Sequence, residues 1–215
     1  MYRALALDVC GVLTSHKSVW QFIHEELGLW KSTAIRFQEE FHAGTITYRE
    51  FCELDAALWE GRSAADMTGI VACLPYREGI GELFETAREL NLKTALISTG
   101  LTLLTDRIAA EFTVDYVAAN HLTTKDGVFT GGVDVLVPHD GKGRELIRFA
   151  RHVGVALSEI IAVGDGSSDI PMFREAGCAV GFGHALDGTG AVVGITVDES
   201  LPALAGLLGR TLATD

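Results

Sequence analysis

Leu5-Ala6-Leu7-Asp8-Val9-Cys10-Gly11-Val12-Leu13-Thr14 is the stretch whose reading decides the fold. A short apolar run meets a carboxylate, and a glycine then breaks it. Residues 4–9 are apolar toward both faces of an extended chain, the pattern of a central strand in a parallel sheet. Asp8 then falls at the strand's carboxyl end, where open α/β sheets place their ligand crevice. A carboxylate buried there needs a metal or a charged partner, because an unpaired buried charge is costly. Taken alone, the same aspartate also reads as a cap on the following turn.

The chain has 215 residues, 48% of them hydrophobic and 21% charged. That is enough apolar material for one domain, or one domain with an insert, and it is not the composition of a disordered chain. The formal net charge of −12 argues against a nucleic-acid partner, which needs clustered Lys and Arg, and against an anionic membrane surface. It leaves room for a small anionic substrate, because a metal and one lysine can reverse the local field. Cys10, Cys52, Cys73 and Cys178 lie far apart with no Cys-x-x-Cys pair, so neither a zinc site nor a disulfide framework is expected. A reducing cytoplasm is the expected location. The first apolar run reaches Asp8 too early for a signal peptide, and no segment approaches the ~20 apolar residues of a membrane span. Nothing in the sequence sets an oligomeric state.

Beyond the first strand the hydrophobic period becomes helical. Trp20, Ile23 and Leu27 share one face, and Gly28 ends that helix. Ile35, Phe37 and Phe41 mark a second helix closed by Gly44. Thr47 and Glu50 form a capping-box signature before a third, carried by Phe51, Leu54 and Leu58. A weaker fourth covers residues 63–73. Residues 14–75 are therefore expected to form a small all-helical cap inserted after the first strand, with residues 1–13 and 76–215 forming the core domain.

From Pro75 the pattern is α/β. Strands are expected at residues 93–97, 114–118, 159–163, 178–181 and 192–197, with helices between them and a closing helix near residues 200–208. Asp126-Gly127 signals a hairpin turn inside a β-excursion spanning residues 122–137. Alternating strands and helices imply a parallel sheet covered on both faces, with right-handed crossovers. Such a sheet brings the strand ends bearing Asp8, Ser98 and Asp165 into line.

Gly164-Asp165-Gly166-Ser167-Ser168-Asp169 is the second informative stretch. Glycines let the backbone turn sharply at a strand end, although a polar helix-capping turn has the same composition. If Asp165 lies beside Asp8, their charges repel, and one pKa rises unless a cation intervenes. Carboxylates without a His/Cys cluster suit magnesium rather than zinc. Ser98, Thr99 and Gly100 fall at a strand–helix junction, where amides and a hydroxyl can hold a phosphate; a simple N-cap serine is the alternative. Lys142 lies between Gly141 and Gly143 ahead of a helix, a context that allows close approach to a ligand.

The ordered set of these four stretches resembles the haloacid dehalogenase superfamily, and most closely its phosphoserine phosphatase-like branch. Asp8 with residues 11–14 is similar to the nucleophile motif, residues 95–100 to the phosphate-binding hydroxyl motif at Ser98, Lys142-Gly143 to the lysine motif, and residues 164–172 to the metal motif. Asn120-His121-Leu122, Asp126-Gly127 and Gly131-Gly132 resemble that branch's hairpin. The resemblance implies a Rossmann-like three-layer core, a magnesium cofactor and a small phosphorylated substrate. It further implies that Asp8 is the nucleophile, that magnesium is held by Asp8, the Cys10 carbonyl and Asp165, and that Asp169 orients a metal-bound water or Lys142. Ser98, Thr99, Gly100 and Lys142 would hold the phosphoryl oxygens.

Two positions depart from that pattern. Cys10 stands where family phosphatases usually carry a second aspartate, the acid–base group, and such help is worth about 10²–10⁴ in rate. A thiol with a reference pKa near ~8.5 is a poor substitute base. Lys17 stands where phosphoserine phosphatases carry a glutamate that reads the substrate ammonium, and Ser168 replaces an asparagine. The expectation is a magnesium-dependent phosphatase whose substrate is not phosphoserine. The alternatives are a catalytically impaired phosphate-binding or regulatory protein, and a phosphonate or haloacid hydrolase; phosphonate hydrolysis in the family uses a cap lysine, and Lys17 and Lys31 are the cap lysines here.

Overall fold

In a computed structural model that describes residues 1–183 and 193–212, the opening apolar run is the centre of the sheet. The strands are β1 (Ala4–Leu7), β2 (Lys93–Leu101), β3 (Tyr116–Lys125), β4 (Val128–Asp134), β5 (Ile160–Gly164), β6 (Cys178–Phe182) and β7 (Ile195–Val197). They lie in the order β4-β3-β2-β1-β5-β6-β7. Every described pairing is parallel except β3 with β4. Leu7 is in register with Leu96 of β2 on one side and with Val163 of β5 on the other. The ends of these three strands therefore lie together.

The helices are α1 (Val19–Glu26), α2 (Ile35–His42), α3 (Tyr48–Ala57), α4 (Ala64–Ala72), α5 (Ile80–Glu89), α6 (Thr102–Glu111), α7 (Lys142–Val153), α8 (Ile170–Glu175) and α9 (Leu201–Leu212). Successive strand residues point to opposite faces. Leu5, Leu7, Leu96, Ile161 and Val163 join one apolar cluster with residues of α5, α6 and α9. Ala4, Ala6, Ala95, Ile97, Ile160 and Ala162 join another with Leu146 and Phe149 of α7 and Met172 and Phe173 of α8. Small residues on that second face let α7 pack close to the sheet. Helices thus cover both faces, giving three layers.

Several elements differ from the sequence expectation. The strand expected at residues 93–97 runs on to Leu101, with irregular pairing between Ile97 and Leu101. Ser98, Thr99 and Gly100 thus lie in a distorted strand end, not at a helix N-terminus, and α6 begins only at Thr102. The strand expected at 114–118 and the excursion at 122–137 share one continuous strand, β3, which turns back at Asp126 (φ 51°) and Gly127 (φ 78°) into β4. Positive φ at both turn positions is the geometry Asp-Gly favours. The strand expected at 192–197 begins at Ile195; Val192 lies outside the described residues. The closing helix extends to Leu212.

Between β1 and α5 come α1 to α4, preceded at α2 by a π-type turn at Trp30–Ala34. Thr47 and Glu50 form the reciprocal capping box at the start of α3. Trp20 stacks on Trp59 with ring centroids 5.5 Å apart. This insert also pairs with the core hairpin. Gly61 and Ala64 donate backbone hydrogen bonds to Phe129 and Gly127, and Phe129 donates to Arg62, each at 2.9 Å. Residues 61–64 thereby extend the free edge of β4. An exposed edge offers unpaired donors and acceptors, which is why this segment docks there.

Candidate active site

Asp8 follows β1 directly, and its amide donates to the Val163 carbonyl of β5 at 2.9 Å. Asp165 follows β5, on the neighbouring strand. Between them passes Gly11 at φ +90°, where an added Cβ would stand 2.3 Å from Asp165 Oδ2. Only glycine lets the loop after β1 turn this way and close on that carboxylate. Arg77 fastens the loop from outside, its Nη2 donating to the Gly11 carbonyl at 2.9 Å and its Nε to the Val12 carbonyl at 3.1 Å.

Asp169 closes the turn after β5. Its Oδ2 accepts from the amides of Asp165 and Gly166, each at 2.9 Å, and its Oδ1 accepts from Lys142 Nζ at 2.5 Å. Lys142 opens α7, is fully buried, and reaches Asp8 Oδ1 at 2.6 Å. One oxygen from each of Asp8, Asp165 and Asp169 lies within 4.8 Å of the others.

Two carboxylates thus share one buried ammonium with a third beside them, and the excess negative charge shows in the pKa values. Burial, then Asp169 and Asp165, push Asp8 up to about 8 against the opposing pull of Lys142. Burial and Asp169 likewise raise Asp165. Burial works to lower Lys142, but Asp169 and Asp8 outweigh it and hold the ammonium above the ordinary lysine range. A buried all-oxygen donor set with surplus negative charge fits a hard divalent cation such as magnesium, which would restore the ionised form of Asp8.

Ser98, on β2, is buried, and its Oγ accepts from the Gly100 amide at 2.9 Å. Its own hydroxyl hydrogen remains available for an anionic oxygen. Thr99 contributes a carbonyl that takes three donors: Trp20 Nε1 at 3.3 Å, Tyr48 Oη at 2.6 Å and Asn120 Nδ2 at 2.8 Å. Asp8, Cys10, Lys17, Ser98 and Asp165 line a single cavity of about 340 Å³, with Thr99 and Gly100 also in its wall. Burial, then Asp8, push the Cys10 thiol up to about 12. Lys17 is mostly exposed and lies 3.7 Å from Asp165 Oδ2.

The structure therefore brings Asp8, Lys142, Asp165 and Asp169 into one cluster and sets Cys10, Lys17, Ser98, Thr99 and Gly100 around the same cavity. A larger cavity of about 580 Å³, at Phe84, Lys93 and Asp115, lies at the other ends of the strands and holds no such cluster. Arg77, Tyr48, Trp20 and Asn120 hold this site together but were not among the expected site residues. Asn120 fell in a motif noted for its hairpin. Trp20 and Tyr48 read only as helix residues, and nothing local marks Arg77.

The family model for haloacid dehalogenase-like hydrolases matches residues 7–174. The chain belongs to this family. The hydrolase is 31% identical to a phosphoserine phosphatase of Streptococcus thermophilus over 83% of its own length and 82% of that protein's. It is 34% identical to one of a Polaromonas species, over 86% and 80%. Among solved structures, its fold is similar to that of a substrate-bound phosphoserine phosphatase complex, with a TM-score of 0.83, 22% identity, and 96% and 98% of the two chains covered. It is also similar to a phospho-aspartyl intermediate analogue of phosphoserine phosphatase, with a TM-score of 0.78, 24% identity, and 92% and 94% covered. None of the described helices of this hydrolase is long and apolar enough to cross a membrane.

Proposed function

We propose that this hydrolase is a magnesium-dependent phosphatase that cleaves a small-molecule phosphomonoester through an aspartyl phosphate on Asp8. The observation that carries this reading is the placement of Asp8: it is paired with Lys142, beside Asp165 on the next strand, with the free hydroxyl of Ser98 on the other neighbouring strand. Asp8, Asp165 and the Cys10 carbonyl would hold magnesium, which when bound offsets the charge of the phosphoryl oxygens. Asp169 has both oxygens engaged, which supports a positioning role toward Lys142 and the Asp165 loop rather than direct ligation.

In this reading Asp8 attacks phosphorus, its Oδ–P bond forms, and the ester P–O bond breaks. The leaving alkoxide takes a proton from solvent. Water then attacks the aspartyl phosphate, releases inorganic phosphate and restores Asp8. Lys142 and Ser98 donate to phosphoryl oxygens where charge develops. The helical insert at residues 14–75 acts as a cap over the 340 Å³ cavity and excludes water.

The relatives' names make O-phosphoserine the first substrate to try. Against it stands Lys17, a cation at the cavity where a serine ammonium would need an anion. One observation favours a second reading, an impaired phosphate binder: the Cys10 thiol is held protonated to about 12 and makes a weak acid–base group. Hydrolysis of p-nitrophenyl phosphate separates the two. Magnesium-dependent turnover that is lost in Asp8→Asn supports the phosphatase, whereas phosphate binding with no turnover supports the binder.

A further inference from the structure

We propose that a chamber walled by Trp20, Trp30, Phe41, Tyr48 and Phe51 receives the leaving half of the substrate, and that this half is a flat, uncharged ring. The assignment rests on the phosphatase reading, since it takes the phosphoryl group to sit at Asp8. The chamber holds about 170 Å³ and shares Ser18, Trp20, Thr99 and Ser168 with the catalytic cavity. A group bonded to a phosphoryl at Asp8 therefore has this space open to it.

The walls are fixed and flat. Phe41 stacks on Phe51 at 5.6 Å and meets Tyr48 edge-on at 5.5 Å, and Trp20 leans on Phe51 at 6.4 Å. The polar tips of Trp20 and Tyr48 are both spent on the Thr99 carbonyl, which leaves their carbon surfaces to the chamber. No Asp, Glu, Lys or Arg is among the described residues lining it; His42 and the polar side chains of Ser18, Gln21 and Ser168 complete its wall. His139 packs against both Phe41 and Tyr48, and burial together with Lys142 keeps its pKa below the usual imidazole value. The Gln38 amide has no hydrogen-bond partner among the described residues and supplies one polar edge.

Size and wall shape together choose the ligand class. A cavity of roughly 150 Å³ accommodates benzene, so this chamber has room for one ring, and its aromatic walls favour a flat one. A carboxylate or primary ammonium would lose part of its water here with no Asp, Glu, Lys or Arg in the wall to pair with it. A quaternary ammonium can also rest on aromatic faces, which makes phosphocholine the competitor that the test must exclude.

Benzyl and ethyl phosphate test this directly, because both release a primary alcohol and differ mainly in the ring. With the magnesium-loaded protein, kcat/KM for benzyl phosphate should exceed that for ethyl phosphate by at least about tenfold, mainly through KM. Phosphoserine and phosphocholine should do no better than ethyl phosphate. Phe41→Leu keeps apolar volume but removes the flat face, and it should narrow the benzyl-to-ethyl ratio; Trp30→Leu should do the same if the first variant folds poorly. Tryptophan fluorescence titrated with benzylphosphonate and ethylphosphonate reads the chamber without turnover. Tighter binding of the benzyl compound with no ester hydrolysed would sink the phosphatase reading and keep the subsite. Equal affinities, or phosphoserine or phosphocholine as the best substrate, would overturn the subsite.

Discussion

Lys142 Nζ lies 2.6 Å from Asp8 Oδ1. The same ammonium lies 2.5 Å from Asp169 Oδ1, so one buried cation is divided between the residue proposed to attack phosphorus and the residue that anchors the turn after β5. Without it, three carboxylates face one another in a buried cluster. Breaking a buried ion pair by removing one partner costs about 3–5 kcal/mol. Lys142→Met should lose stability of that order in urea denaturation of the metal-free protein. Magnesium should return part of the loss, because a ligand that binds only the folded state stabilises it. Hydrolysis should remain absent even where stability returns, since the donor to the phosphoryl group is gone.

Metal-free stability should also fall with rising pH. Asp8 is raised in the folded protein to about 8, and Asp165 is raised too. Between the unfolded carboxylate value and about 8 the folded state binds more protons than the unfolded one. Stability therefore decreases with pH across that window, by at most about 1.4 kcal/mol per pH unit for each group. Lys142 adds no slope there, because it stays protonated in both states. Above the imidazole range, where His139 no longer adds an opposing slope, denaturation midpoints up to pH 8 should fall in EDTA and flatten in magnesium, which holds Asp8 ionised. A flat profile in EDTA would contradict the charge balance described for the cluster.

Two carboxylates of the cluster were legible in the sequence because each ends an apolar run, and Asp169 because it closes the glycine and serine turn after the second. Residues 4–7 and 160–163 read as buried strands, and Asp8 and Asp165 are the first charges beyond them. What joins the site to the rest of the chain was not legible. Arg77 reaches the loop after β1, and Asn120 reaches Thr99; both contacts depend on strand order, which local pattern does not encode. The irregular end of β2 includes Thr99, whose carbonyl takes three donors from other elements. Trp20 and Phe51 fitted helical stripes, and a stripe does not tell a core wall from a chamber wall.

Cys10 offers a gain-of-function test. The thiol is held protonated to about 12 by burial and by Asp8, so it neither accepts nor releases a proton readily. In the proposed mechanism, Cys10→Asp supplies an acid–base group at the cavity wall. It should raise kcat for ethyl phosphate by about tenfold or more, within the range of general acid–base help. Magnesium affinity should change little, since position 10 is proposed to offer its carbonyl. A drop in kcat would assign the thiol a role beyond filling space.

Asn120 and Tyr48 should rank differently although both donate to the Thr99 carbonyl. Asn120 is fully buried, and its Oδ1 also accepts from the Val137 amide at 2.8 Å. Asn120→Ala therefore orphans the Val137 amide, takes one donor from Thr99 and leaves a void. Each unsatisfied buried group costs about 1–3 kcal/mol. Tyr48→Phe removes a single hydroxyl and leaves Thr99 two donors, so its cost should be about 1 kcal/mol. The larger loss for Asn120→Ala in urea denaturation should come with a lower kcat, because Ser98 precedes Thr99 and shifts with it. The same ranking in stability with kcat unchanged would detach the Thr99 clamp from catalysis and leave it a purely structural joint.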